Sequence, residues 1–158
     1  MFRKLLTTRS MCLSAMIAAL YAALTLLMAP ISYGAIQCRI SEAMTLLPIL
    51  LPQAIPGLTV GCLAANLLSP VAVWDVLFGT LATFIAALGT WQLRKHPVLA
   101  ALCPIVSNGV VIGATLSVFY GLPLWLTMLE VAVGETAAVS IGFVLLKVLR
   151  RVDLSRFR

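Results

Sequence analysis

Charge is scarce in this sequence. Only 10% of its 158 residues are Asp, Glu, Lys or Arg, and 62% are hydrophobic. A soluble domain carries about 25% charged and 45–50% apolar residues. With a mean hydropathy of +1.10, a single soluble core could not hide this much apolar surface, so lipid is the implied solvent. Other absences narrow the chemistry. There is no GxxxxGK[ST], no HExxH and no GxSxG, so the chain lacks the means to hydrolyse ATP and shows no recognisable nucleophile system. The one histidine, His96, sits in a charged loop before Pro97. Cys12, Cys38, Cys62 and Cys103 are widely spaced without a CxxC, which favours small buried hydrophobes over a metal or disulfide site. No internal repeat supports an inverted-repeat transporter.

What is present is a series of long, continuous apolar runs. Lipid offers the backbone no hydrogen bonds, so a spanning segment is a helix or a strand of a closed barrel. Barrel strands alternate apolar and polar residues; these runs do not, and helices follow. At roughly twenty residues per span, the length permits about six spans in one domain, 1–158, with no room for a separate soluble unit. The run at 11–29 follows Arg3, Lys4 and Arg9 in the manner of a signal peptide. It is too long for an ordinary signal core and lacks a clear cleavage pattern, so it is expected to be a retained span.

The segment 39–69 is either one tilted span or two short ones. Pro48, Pro52 and Pro56 interrupt it, each removing a helical hydrogen bond. Charge favours two. Arg3, Lys4 and Arg9 lie at one end of the chain, and Lys147, Arg150, Arg151, Arg156 and Arg158 at the other. The positive-inside rule puts both ends in the cytosol, which requires an even number of spans. The break is expected near 52–56. Spans at 74–91, 98–120 and 124–149 complete a six-transmembrane-helix, all-α bundle with cytosolic termini. Arg94, Lys95 and His96 then fall in a cytosolic turn. The net charge of +6 is thereby explained by topology, without a nucleic-acid partner.

Charges placed within a bilayer cost about 2.5–3.5 kcal/mol at a helix centre on insertion scales and mark functional candidates. Here they are Arg39, Glu42, Asp75, Glu130 and Glu135, all in the outer half or middle of the membrane in the six-span reading. Arg39 and Glu42 share a helical face and suit either an interfacial ion pair or a site. Asp75 suits either a helix cap or a site. Glu135 lies deep in the last span with no basic neighbour in sequence. Asn66 and Asn108 are either helix glue or ligand contacts. Gln37, Tyr33 and Trp74 lie at outer loops as interface anchors or as a stacking surface. Carboxylates, carboxamides and aromatics opening outward suit a flat, hydrogen-bonding small molecule, neutral or cationic. In the first span, Ala15 and Ala19 are four apart and allow close helix approach, inside the bundle or against a partner.

Several blocks resemble one family. Gly34–Ala35–Ile36–Gln37–Cys38–Arg39–Ile40–Ser41–Glu42–Ala43 with Leu46–Leu47–Pro48 resembles the G-x-I-Q-x-R-x-S-E-A…L-P signature of the QueT family. The stretches 54–58, 61–62, 65–66 and 75–83 and the Gly134–Glu135 pair resemble further blocks of it. The resemblance implies a substrate-binding S-component of an energy-coupling factor (ECF) transporter. It implies a queuosine precursor, queuine or 7-aminomethyl-7-deazaguanine, as ligand. It implies a transmembrane coupling subunit and two ATPase subunits as partners, which bind the ATP, so that the chain itself needs no cofactor and is not an enzyme. It also implies that Ala15 and Ala19 dock the coupling subunit. Glu135 and Glu42 are expected on the purine-like edge or the ammonium, Asn66 and Asn108 on ring heteroatoms, and Arg39 in ordering the outer loop. Rival readings are an S-component for another vitamin, a stand-alone permease or channel for a small cation, and a membrane enzyme using carboxylates.

Overall fold

The computed structural model describes residues 7–32, 39–69 and 72–151. Among them every regular element is helical. Helix α1 (Thr8–Leu27) begins at Thr7, whose hydroxyl accepts from the Ser10 amide, and leads into a short helix α2 (Ala29–Ser32). The segment 39–69 is divided. Its first part is a 3₁₀ helix, Ile40–Ile49, and its second is α3 (Ala54–Asn66), with the reversal at 50–53. A short helix α4 (Ala72–Trp74), a π-helical turn (Asp75–Gly79) and α5 (Thr80–Gln92) follow without interruption. Helix α6 (Pro97–Tyr120) starts on a proline, which sits well at a first helical position, and stops at Gly121, whose φ of 65° is left-handed. Helix α7 (Leu124–Leu149) closes the bundle. Three helices, α1, α6 and α7, are long and apolar enough to cross a membrane.

The surface and the interior are distributed as lipid solvation requires. Met16, Leu27, Val118 and Trp125 are 69–84% exposed, while Thr25, Ser41, Glu42, Asn66, Asp75 and Thr90 are buried at 1% or less. Contiguous exposed apolar surface marks contact with lipid or another protein. The interior is held at close range by small residues. An added Cβ at Gly57 or Gly61 of α3 would stand 2.8 or 2.7 Å from the Ser14 and Ala18 carbonyl oxygens of α1. On the other side of the bundle one at Gly113 of α6 would stand 2.6 Å from the Met128 Cα of α7. Small residues at such contacts let helix backbones approach, the main source of packing energy where no hydrophobic drive exists between helices.

The 3₁₀ helix is the centre of this packing. Its ten residues exceed the three or four usual for such a helix, and Ser41 to Ile49 are all buried. It is flanked by α1, α5 and α7, and Gly142 of α7 brings that helix so close that a Cβ there would lie 2.5 Å from the Ala43 carbonyl oxygen. Two bonds fasten its first turn to α1: Tyr21 donates to the Glu42 carboxylate, and Thr25 donates to the Ser41 hydroxyl at 2.7 Å. Tertiary contacts on every side thus hold a conformation that local sequence would not select.

Candidate functional site

Five elements converge on one small cavity. Arg39, the extended residue that caps the 3₁₀ helix, and Glu42 in its first turn contribute from one side. The π-helical turn and α5 contribute Gly79 and Thr83, α6 contributes Asn108 and Ile112, and α7 contributes Val131 and Glu135. Each of these last pairs is four residues apart, one turn on a single helix face. The cavity is small, about 10 Å³ as open to the centre of a water-sized sphere, which is about the room of one water molecule.

Behind the cavity Arg39 is held by several groups. Its guanidinium donates to the Asn66 side-chain oxygen at 3.1 Å and to the Ser32 carbonyl at 3.4 Å, and stands 3.7 Å from an Asp75 carboxylate oxygen. Ser69 donates to the same Asp75 oxygen. The Asn66 amide donates in turn to the Asp75 backbone carbonyl at 2.7 Å and to the Cys62 sulfur at 3.2 Å. The π-helical turn makes this arrangement possible, since its widened ring spaces the carbonyls and leaves room at Gly79. A Cβ at Gly79 would lie 2.7 Å from the Asn66 amide nitrogen. Turns of this kind are frequent at functional sites.

The cavity walls are acceptor-rich. Glu42 takes the Tyr21 hydroxyl on Oε1, and Glu135 takes the Asn108 amide on Oε1. Three further acceptors, Glu42 Oε2, Glu135 Oε2 and Asn108 Oδ1, are buried with no hydrogen-bond partner. Leaving a buried polar atom unpaired costs about 1–3 kcal/mol, more for a charged group, and natively folded chains carry few such atoms. Three on one cavity make an acceptor-rich wall that N–H donors would satisfy. Among the described residues no group of three His, Cys, Asp or Glu could hold a metal ion.

Of the candidates named from sequence, Glu135, Glu42, Asn108 and Arg39 line the cavity. Asn66 and Asp75 stand one layer back, holding Arg39. Glu130 is half-buried on α7, and Trp74 is 45% exposed and stacked on Phe78; neither is among the lining residues. Gln37 and Tyr33, with Cys38, fall outside the described residues. Ala15 and Ala19 are exposed on α1, whereas Ser14 and Ala18 form the inward face against α3. Cys12 and Cys103 make no part of the site, and Cys62 accepts from Asn66 and Thr83. Sequence reasoning missed Tyr21, Gly79, Thr83, Ile112 and Val131. The usable signal for Tyr21 was a phenol deep within an apolar run, away from the membrane surfaces where such rings usually lie.

A family model described as QueT transporter matches residues 11–151. A relative, the queuosine precursor transporter QueT of Lactococcus lactis subsp. cremoris (strain MG1363), is 35% identical over 159 residues, covering 90% of this chain and 93% of the relative. No solved structure matches. With a matching family model over nearly the whole length and a relative of that identity, the chain belongs to the QueT transporter family.

Proposed function

We propose that this chain is the S-component of an ECF-type ABC transporter, binding queuine or 7-aminomethyl-7-deazaguanine from outside the cell for ATP-driven uptake. The observation that carries the ligand class is the set of unpartnered acceptors on Glu42, Glu135 and Asn108. A guanine-like ring offers a row of N–H donors along one edge, and a carboxylate accepts two parallel donors with charge assistance. Ile112 and Val131 supply apolar surface for the ring faces. The name of the Lactococcus relative points to the same ligand class. A base does not fit a cavity the size of a water molecule, so the helices around it part as the ligand enters.

The chain makes six passes with both termini in the cytosol. The reversal at 50–53 supports two passes within 39–69. Arg9, the Arg94–Lys95 turn and the Lys147–Arg151 end then share the cytosolic side, and Arg39, Asp75 and the cavity open toward the other. Energy comes from partners, because the chain has no nucleotide-binding motif. A transmembrane coupling subunit and two ATPases supply it, and the coupling subunit docks on the exposed face of α1 that carries Ala15 and Ala19.

Calorimetry on the purified protein tests the ligand, with queuine, 7-aminomethyl-7-deazaguanine and guanine as titrants. Saturable binding of the two deazapurines, tighter than guanine, is expected. Failure of both to bind overturns the reading. Uptake by liposomes holding this chain alone, without ATP, would instead favour a stand-alone permease.

A further inference from the structure

Building on the proposed ligand class, we propose that the site selects its base by charge: Glu42 is the partner of a ligand ammonium, while Glu135 and Asn108 read the ring edge. Arg39 is the single basic side chain on the cavity wall, and it already faces Asp75 in the one ion pair found among the described residues. Glu42 and Glu135 share the same small cavity without an ion-pair partner. Two carboxylates buried to 1% and 6% exposure are expensive in a low-dielectric interior unless a positive charge joins them. Arg39 is one positive charge against three carboxylates, Asp75, Glu42 and Glu135, and a cationic ligand balances the excess.

The two carboxylates differ in what surrounds them. Glu135 Oε2 and Asn108 Oδ1 are both open, on side chains already bonded to each other across α6 and α7. Together they present two open acceptors on bonded side chains, suited to a ring edge that carries more than one N–H donor. Glu42 comes from a different element, the 3₁₀ helix, and offers one open oxygen, the other being fixed by Tyr21. A single oriented carboxylate oxygen suits a point charge such as an ammonium, whose donors carry no planar geometry. Tyr21 is therefore a positioning residue: it sets which Glu42 oxygen faces the cavity.

The test compares two bases of nearly equal size, 7-aminomethyl-7-deazaguanine and its neutral 7-hydroxymethyl analogue, by calorimetry on the intact protein. The cationic base is expected to bind about tenfold tighter or more, the range of a charged hydrogen bond. Glu42→Gln is expected to narrow the preference for the cationic base to within about threefold, with saturable binding of both bases and an unaltered melting profile showing that the fold survives. Equal binding of the two bases by the unaltered protein overturns the charge selection and leaves the ligand class standing. Retention of the full preference by Glu42→Gln overturns the assignment to Glu42. If neither base binds, both the selection and the ligand class fall.

Discussion

Glu135 and Glu42 are both glutamates buried in the same cavity wall, yet substitution should separate them. Glu135→Gln keeps the size of the side chain but turns one acceptor into a donor facing ring N–H groups. Its affinity for cationic and neutral deazaguanines alike should fall by more than about tenfold, since a charged hydrogen bond contributes roughly 1.5–3 kcal/mol; unchanged affinity for both would remove Glu135 from the ring edge. Tyr21→Phe removes the donor that orients Glu42. It should weaken the cationic base several-fold and lower thermal stability by about 1–3 kcal/mol, the cost of an orphaned buried acceptor, with melting of the purified protein in detergent as the readout. The sequence made the two acids and Asn108 visible because a charge or amide in a lipid-facing run is conspicuous. It hid Tyr21, Ile112 and Val131 because each reads as ordinary apolar filling. Glu130 was equally conspicuous, and its position on α7, five residues before Glu135, turns it off the cavity face.

At the scale of elements the 3₁₀ helix governs the site, and its neighbours hold it tightly. Gly142→Ala would place a Cβ 2.5 Å from the Ala43 carbonyl oxygen. Alanine gains about 1 kcal/mol in helix propensity over glycine, but forcing a side chain into a packed core typically costs about 1–3 kcal/mol. Here the obstacle is a backbone atom, which cannot swing aside. The variant is therefore expected to melt at a lower temperature and to bind the base more weakly through displacement of Glu42; a raised melting temperature would contradict this packing. The break between the 3₁₀ helix and α3 was readable from prolines and from the charge at the two ends. The 3₁₀ form itself was not, nor was the π-helical turn at Asp75–Gly79. Nothing in ISEAMTLLPI disfavours an α-helix before Pro48, and the geometry is imposed by α1, α5 and α7 packing around it.

For the whole molecule, a transporter family and several long apolar helices make this a multi-pass protein of the cell membrane. Two faces of α1 divide its labour. Ser14, Ala18 and Tyr21 look inward to α3 and the cavity, and Ala15 and Ala19 look outward. If α1 docks the proposed coupling subunit, replacing Ala15 and Ala19 together by Leu should leave base affinity unchanged and abolish co-purification with that subunit and its ATPases. Loss of base binding in that variant, with the assembly intact, would put those alanines in the wrong role.

The smallness of the cavity has a kinetic consequence. Association is slower where binding requires a conformational change than where the surface is preformed. If the proposed base enters only when the wall stands apart, the observed rate in stopped-flow mixing should level off as base concentration rises. The plateau is the opening frequency of the protein itself, and apparent affinity is lowered by the fraction of time spent open. A substitution that loosens the wall would then speed capture without touching a single contact to the base.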